Sequence, residues 1–106
     1  MVYPGGIGTL AQTIQAGIPH LVVPHAHDQP DNAARVERLG LGKRIYPEKY
    51  QGRAVASLLK DLLSDSGIID RCRSFSARIQ SESALARACT LIEGLAVRPV
   101  EREIPA

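Results

Sequence analysis

The sequence predicts an α/β chain, a partial parallel sheet of the doubly wound kind followed by a helical C-terminal portion. Three observations lead there. A glycine loop, Gly5-Gly6-Ile7-Gly8-Thr9, joins an extended start to a segment with helical apolar spacing. A β-branched run, Leu21-Val22-Val23, stands between Pro19 and Pro24. Beyond Gln51 the apolar residues recur at helical intervals. The resulting order of strand, helix, strand, helix, strand and then helices is that of an α/β unit with a helical cover.

Each element has its own justification. Val2-Tyr3 reads as the end of a strand entering the glycine loop. Leu10, Ala11 and Ile14 give the segment from Thr9 to Ala16 a helical stripe, and Gly17 is a natural stop. The run Leu21-Val22-Val23 is short and wholly apolar, as a strand buried on both faces should be. Asp28-Gln29-Pro30 opens a second helix, because proline's missing N–H has no partner in a first turn anyway. That helix runs to about Leu39 and stops at Gly40, and Arg44-Ile45 fits a last strand. Val55, Leu58, Leu59, Leu62 and Leu63 form the stripe of a third helix. Ser64 or Ser66 would cap a fourth, with Ile68, Cys72, Phe75 and Ile79 on one face. A fifth carries Leu85, Ala88, Cys89 and Ile92, with Gly94 as its stop. One domain is expected over residues 1–96, followed by an extended or disordered tail over 97–106. The sheet has few strands for a complete domain, so at least one side is expected to lack neighbours.

Composition excludes several classes. The 106 residues are 44% hydrophobic and 23% charged, which is globular rather than disordered. A net charge of +2 gives no nucleic-acid or membrane footprint, and no apolar run is long enough to span a bilayer. Arg71, Arg73, Arg78 and Arg87 are interleaved with Asp70, Glu82 and Glu93, as on a solvated helix surface. Cys72 and Cys89 fit no metal or redox spacing and read as reduced core residues of a cytoplasmic protein. His20, His25 and His27 lack a third ligand at zinc-site spacing, so no metal is expected.

Two stretches carry chemistry. Glycines let backbone N–H groups approach an anion closely, and the helix that follows adds its unpaired N–H groups and dipole. Gly5, Gly6, Gly8 and Thr9 can therefore cradle a diphosphate without a metal ion; the same loop would also serve as a tight turn with no ligand. Asp28 and Gln29 follow the second strand at the sheet edge where ligands bind. A carboxylate accepts from two hydroxyls and an amide both donates and accepts, which suits a polyol. Either residue could instead only cap the helix at Pro30.

Taken together, these runs resemble the donor-binding motif of the UDP-glycosyltransferase superfamily, in particular bacterial macrolide and other natural-product glycosyltransferases. The matching blocks are Gly5-Gly6-Ile7-Gly8-Thr9, Ala16-Gly17-Ile18-Pro19, Val22-Val23-Pro24 and Asp28-Gln29-Pro30-Asp31-Asn32-Ala33. They cover about residues 2 to 42. The resemblance implies half of the Rossmann-like C-terminal domain of a GT-B enzyme. It implies that Gly5, Gly6, Gly8 and Thr9 hold the diphosphate of a UDP- or dTDP-hexose, and that Asp28, Gln29 and His27 hold its sugar. It implies an inverting transfer of a hexose to a small-molecule or lipid acceptor, with no cofactor. An N-terminal domain outside this chain would bring acceptor and catalytic base, leaving these residues inactive alone. Tyr3 and Pro4 stand where the family usually has one or two histidines, and Pro4 offers neither a side-chain donor nor a backbone N–H. Two other readings are kept: a non-catalytic assembly module pairing through its sheet edge, for which a homodimer is the default, and a nucleotide-sugar epimerase relative.

Overall fold

The computed structural model describes residues 1–81 and 83–101. Three strands, β1 (Val2–Tyr3), β2 (His20–Val22) and β3 (Gly42–Arg44), form a parallel sheet in the order β1-β2-β3. The expected partial parallel α/β sheet with a helical C-terminal portion is therefore what the chain forms. Register pairs Val2 with Leu21 and Tyr3 with Val22, then His20 with Gly42 and Val22 with Arg44. Helix α1 (Ile7–Ala16) connects β1 to β2, and α2 (Gln29–Arg38) connects β2 to β3. A 3-10 turn at Pro47–Lys49 leads into α3 (Gly52–Ser64), α4 (Ser66–Ser81) and α5 (Ala84–Glu101).

The local reasons are mostly those of the sequence. Helix α1 ends where Gly17 turns left-handed, at φ 70°, and its N–H returns to the Ile14 carbonyl. Helix α2 begins with Pro30 in its first turn, Asp31 at its positive end and Arg35 and Arg38 at its negative end. Leu21 and Val22 of the central strand are fully buried and meet Ala33 and Val36 of α2 in one core with Leu41, Leu62, Ile68 and Cys72.

Helix α4 is fastened to this core by polar ties as well as apolar ones. Ser76 Oγ donates to the Gln15 carbonyl at 2.7 Å, and Arg71 Nε to the Gly40 carbonyl at 2.8 Å. The Cys72 thiol reaches the Leu41 carbonyl at 3.4 Å. Arg78 lies over the Phe75 ring, 5.5 Å from its centroid, so two of the arginines of this surface serve the fold itself.

Several expectations are corrected. The first helix starts at Ile7 rather than Thr9, which brings Gly8 and Thr9 into its first turn. The second strand is shifted one residue back, to His20–Val22, and the third to Gly42–Arg44. The cap of α4 is neither Ser64 nor Ser66: Asp65 Oδ1 accepts from the Ile68 N–H at 3.1 Å, while Ser64 bonds back to the Lys60 carbonyl. Leu63 and Ile79 lie on the stripes read as buried but face outward, because each helix packs on one side only. Cys89 is exposed rather than in the core, as are Leu85, Leu91, Ile92 and Leu95 around it on α5. Gly94 does not stop α5, since it takes no left-handed turn. The segment expected to be extended from Val97 is helical to Glu101, and the rest of that tail lies outside the described residues.

Candidate functional site

The loops leaving the C-terminal ends of the three parallel strands share one edge of the sheet. In open α/β sheets this is the edge where ligands bind. An open cleft of about 450 Å³ lies there, lined by Val2 and Tyr3 of β1 and Pro4 after it, Val23 and His25 after β2, and Pro47 and Tyr50 after β3.

The glycine loop flanks this cleft. Gly5 has φ +105°, a conformation that side-chain-bearing residues rarely adopt. A Cβ there would stand 2.9 Å from Val22 Cγ1 and 3.2 Å from the Gln29 carbonyl, so the loop closes on β2 and α2 only because this residue is glycine. Gly6 precedes α1, and the first helical hydrogen bond is from Leu10 N to the Gly6 carbonyl, at 2.9 Å. The N–H groups of Ile7, Gly8 and Thr9 have no partner among the described residues, and no side chain caps them. The first turn holds no acidic residue to neutralise the positive end of the helix. Space above Gly6 and Gly8 is open, with no atom within 4 Å of where a Cβ would be. Gly8 and Thr9 thus belong to the helix rather than the loop, but as donors of an uncapped N-terminus.

Asp28 and Gln29 stand at the start of α2 and behave differently from each other. Gln29 Oε1 accepts from the His25 N–H at 2.9 Å and the Ala26 N–H at 3.2 Å, so its oxygen shapes the loop after β2 while its amino group has no partner among the described residues. Asp28 occupies the N-cap position without a side-chain cap bond. Its Oδ2 instead accepts from Asn32 Nδ2 at 3.1 Å, and the carboxylate is exposed. His27 is the only non-glycine at positive φ among the described residues, at 60°, and its side chain is exposed beside Asp28. His25 and His27 both lie on this loop.

Two features escaped the sequence reading. Asn32 is 4% exposed, and its Nδ2 also donates to the Gly5 carbonyl at 2.9 Å. It therefore ties the glycine loop to Asp28; the signal was its place four residues after Asp28 on one helix face. The second feature is a buried pair at the base of the site. Tyr3 Oη and His20 Nδ1 are 2.6 Å apart, and His20 Nε2 is buried without a partner among the described residues. Burial pushes the Tyr3 hydroxyl up to about 12 and holds His20 down at about 4. Among the described residues no group of three His, Cys, Asp or Glu side chains could hold a metal ion. No helix there is long and apolar enough to cross a membrane.

Residues 1–93 match the family model described as "Erythromycin biosynthesis protein CIII-like, C-terminal domain". Over 94 residues the chain is 34% identical to the O-mycaminosyltylonolide 6-deoxyallosyltransferase of Streptomyces fradiae, covering 88% of this chain and 22% of that protein. It is 33% identical over 87 residues to the sterol 3-beta-glucosyltransferase of Komagataella phaffii, covering 82% of this chain and 7% of that one. The fold is similar to the crystal structure of the calicheamicin glycosyltransferase CalG4, with TM-score 0.83 and 30% identity over 92% of this chain and 26% of that one. The glycotransferase of kitacinnamycin gives TM-score 0.80 and 30% identity, over 87% and 24% of the two chains. The chain thus spans about a quarter or less of the length of these relatives.

Proposed function

Because the chain belongs to the family of erythromycin biosynthesis protein CIII-like C-terminal domains, a glycosyltransferase family, we propose that it is the part of such an enzyme that binds the nucleotide-sugar donor. The observation that carries this reading is the uncapped start of α1 beside the Asp28-Gln29 loop, on the ligand edge of a parallel sheet. An anion at Gly6, Gly8 and Thr9 would meet N–H groups that no atom of the described residues uses, at the positive end of a ten-residue helix. The donor is a UDP- or dTDP-hexose, and its diphosphate sits there. The free oxygen of Asp28 and the amino group of Gln29 take hydroxyls of the sugar, with His27 alongside.

The same geometry supplies a chemical role. When the bond from the anomeric carbon to the diphosphate breaks, negative charge grows on the leaving oxygen. Fixed N–H donors already aimed at that position stabilise it without reorganising. An acceptor attacking from the opposite face of the sugar inverts the anomeric centre. The acceptor is a small molecule or lipid. No catalytic base is assigned to these residues, so the chain by itself binds donor and transfers no sugar.

Titration of UDP, dTDP and their hexose conjugates by NMR tests the reading. Binding at millimolar affinity or better, with the Ile7, Gly8 and Thr9 amide signals moving first, is the expected result. No movement with any of these ligands would remove the proposal, and sugar transfer by the chain alone would remove its last clause.

A further inference from the structure

We propose that Asn32 is a positioning residue that couples the two halves of this site, so that the diphosphate cradle and the sugar grip act as one unit. The inference rests on the donor-binding reading for its ligand, but its geometry stands apart from it. Asn32 sits on the buried face of α2, 4% exposed. Its single amide nitrogen donates to the Gly5 carbonyl at 2.9 Å, 27 residues away in sequence, and to Asp28 Oδ2 at 3.1 Å. An amide nitrogen has two protons, and both are used, which fixes the orientation of the side chain.

Each bond has a consequence for ligand binding. The peptide joining Gly5 to Gly6 is planar and trans, so its carbonyl and its N–H point in opposite directions. Holding the Gly5 carbonyl against α2 therefore turns the Gly6 N–H away from α2, into the loop. The second bond occupies one oxygen of Asp28 and leaves the other for a hydroxyl. Loss of the Asn32 amide leaves the carbonyl of buried Gly5 without a donor and Asp28 without its anchor. A disturbance of either half is then transmitted to the other through one side chain.

The test is a double-mutant cycle on the whole chain, read two ways. The first reading needs no ligand: the Gly5 and Gly6 amide signals are compared in the native chain, Asp28→Ala, Asn32→Ala and the double variant. Asp28→Ala is expected to move the Gly6 signal in the native background and to leave it in place when Asn32 is already alanine. The second reading compares UDP with UDP-glucose. Asp28→Ala is expected to lower chiefly the extra affinity that the sugar confers and, through Asn32, to weaken UDP to a smaller extent. Asn32→Ala is expected to weaken UDP itself about tenfold and also to shrink the sugar's contribution. An Asp28→Ala effect at Gly6 that persists without Asn32, or an Asn32→Ala loss confined to one ligand half, overturns the coupling. If the native chain binds neither nucleotide, the donor reading falls and the ligand-free cycle still decides the coupling. Should Asn32→Ala not fold, exposed Asp28→Ala alone decides it, since an unmoved Gly6 signal contradicts the link.

Discussion

Helices α4 and α5 are close in length and carry similar apolar stripes, yet one is part of the core and the other is not. Ile68 and Cys72 of α4 are buried, and Phe75 packs beside them. Leu85, Leu91, Ile92 and Leu95 of α5 are all more than half exposed. Their polar ties differ as well. Helix α4 sends Ser76, Arg71 and Gln80 to backbone carbonyls at the ends of α1 and α2. The hydrogen bonds of α5 that the structure gives stay local, such as Thr90 to the Ala86 carbonyl. An apolar stripe says which face of a helix can be buried; whether it is depends on neighbours for it to meet, as α1 and α3 are for α4.

Two measurements bear on this contrast, and a third on the sheet beneath it. The largest effect belongs to the docked side: Ile68→Ala removes a buried side chain of α4 and should lower unfolding stability by about 2–5 kcal/mol in urea titrations. A loss under 1 kcal/mol would mean that the cover over the sheet is loose. The next effect is set by pH. Burial holds His20 at about 4 against an ordinary 6.5, so between these values the unfolded chain binds a proton that the folded chain refuses. The stability contribution of His20 is complete above about pH 6.5 and is lost as pH falls toward 4, by roughly 3 kcal/mol. His20→Gln should flatten that slope, and an unchanged slope would place the sensitivity elsewhere. The smallest effect is on α5, where Leu91→Ala should change stability by no more than about 0.5 kcal/mol. A cost near that of Ile68→Ala would erase the contrast between the helices.

The order of elements was legible because the two apolar periods, of strand and of helix, are distinct in this chain. Gly17 was readable as a stop and Pro30 as a start because each has one strong backbone preference. The start of α1 was read two residues late: its first N–H groups make no helical bond, so nothing in residue type fixes that boundary. The fate of α5 was illegible for the reason the comparison gives. The site was legible as residues but not as connections. Spacing marked Asp28 and Gln29 as equals, whereas Gln29 spends its oxygen on the His25 and Ala26 backbone and Asp28 keeps one free. Tyr3 was seen as a departure from a histidine, and the structure gives it a core partner in His20.

The strand order β1-β2-β3, the same as the order along the chain, has a consequence for assembly. Each strand pairs with its immediate successor, Val2 with Leu21 and His20 with Gly42, so either pairing closes a loop of roughly 20 residues. The return of α4 to α1, from Ser76 to Gln15, spans 61 residues. Closure entropy grows by about 0.6 kcal/mol per doubling, which makes that return dearer by about 1 kcal/mol than either strand pairing. Central strand β2 belongs to both short closures, and from it the sheet can grow in both directions before its cover arrives. The Ser76 and Gln80 bonds to the Gln15 carbonyl, 61 and 65 residues apart in sequence, are the fasteners that offset this long closure.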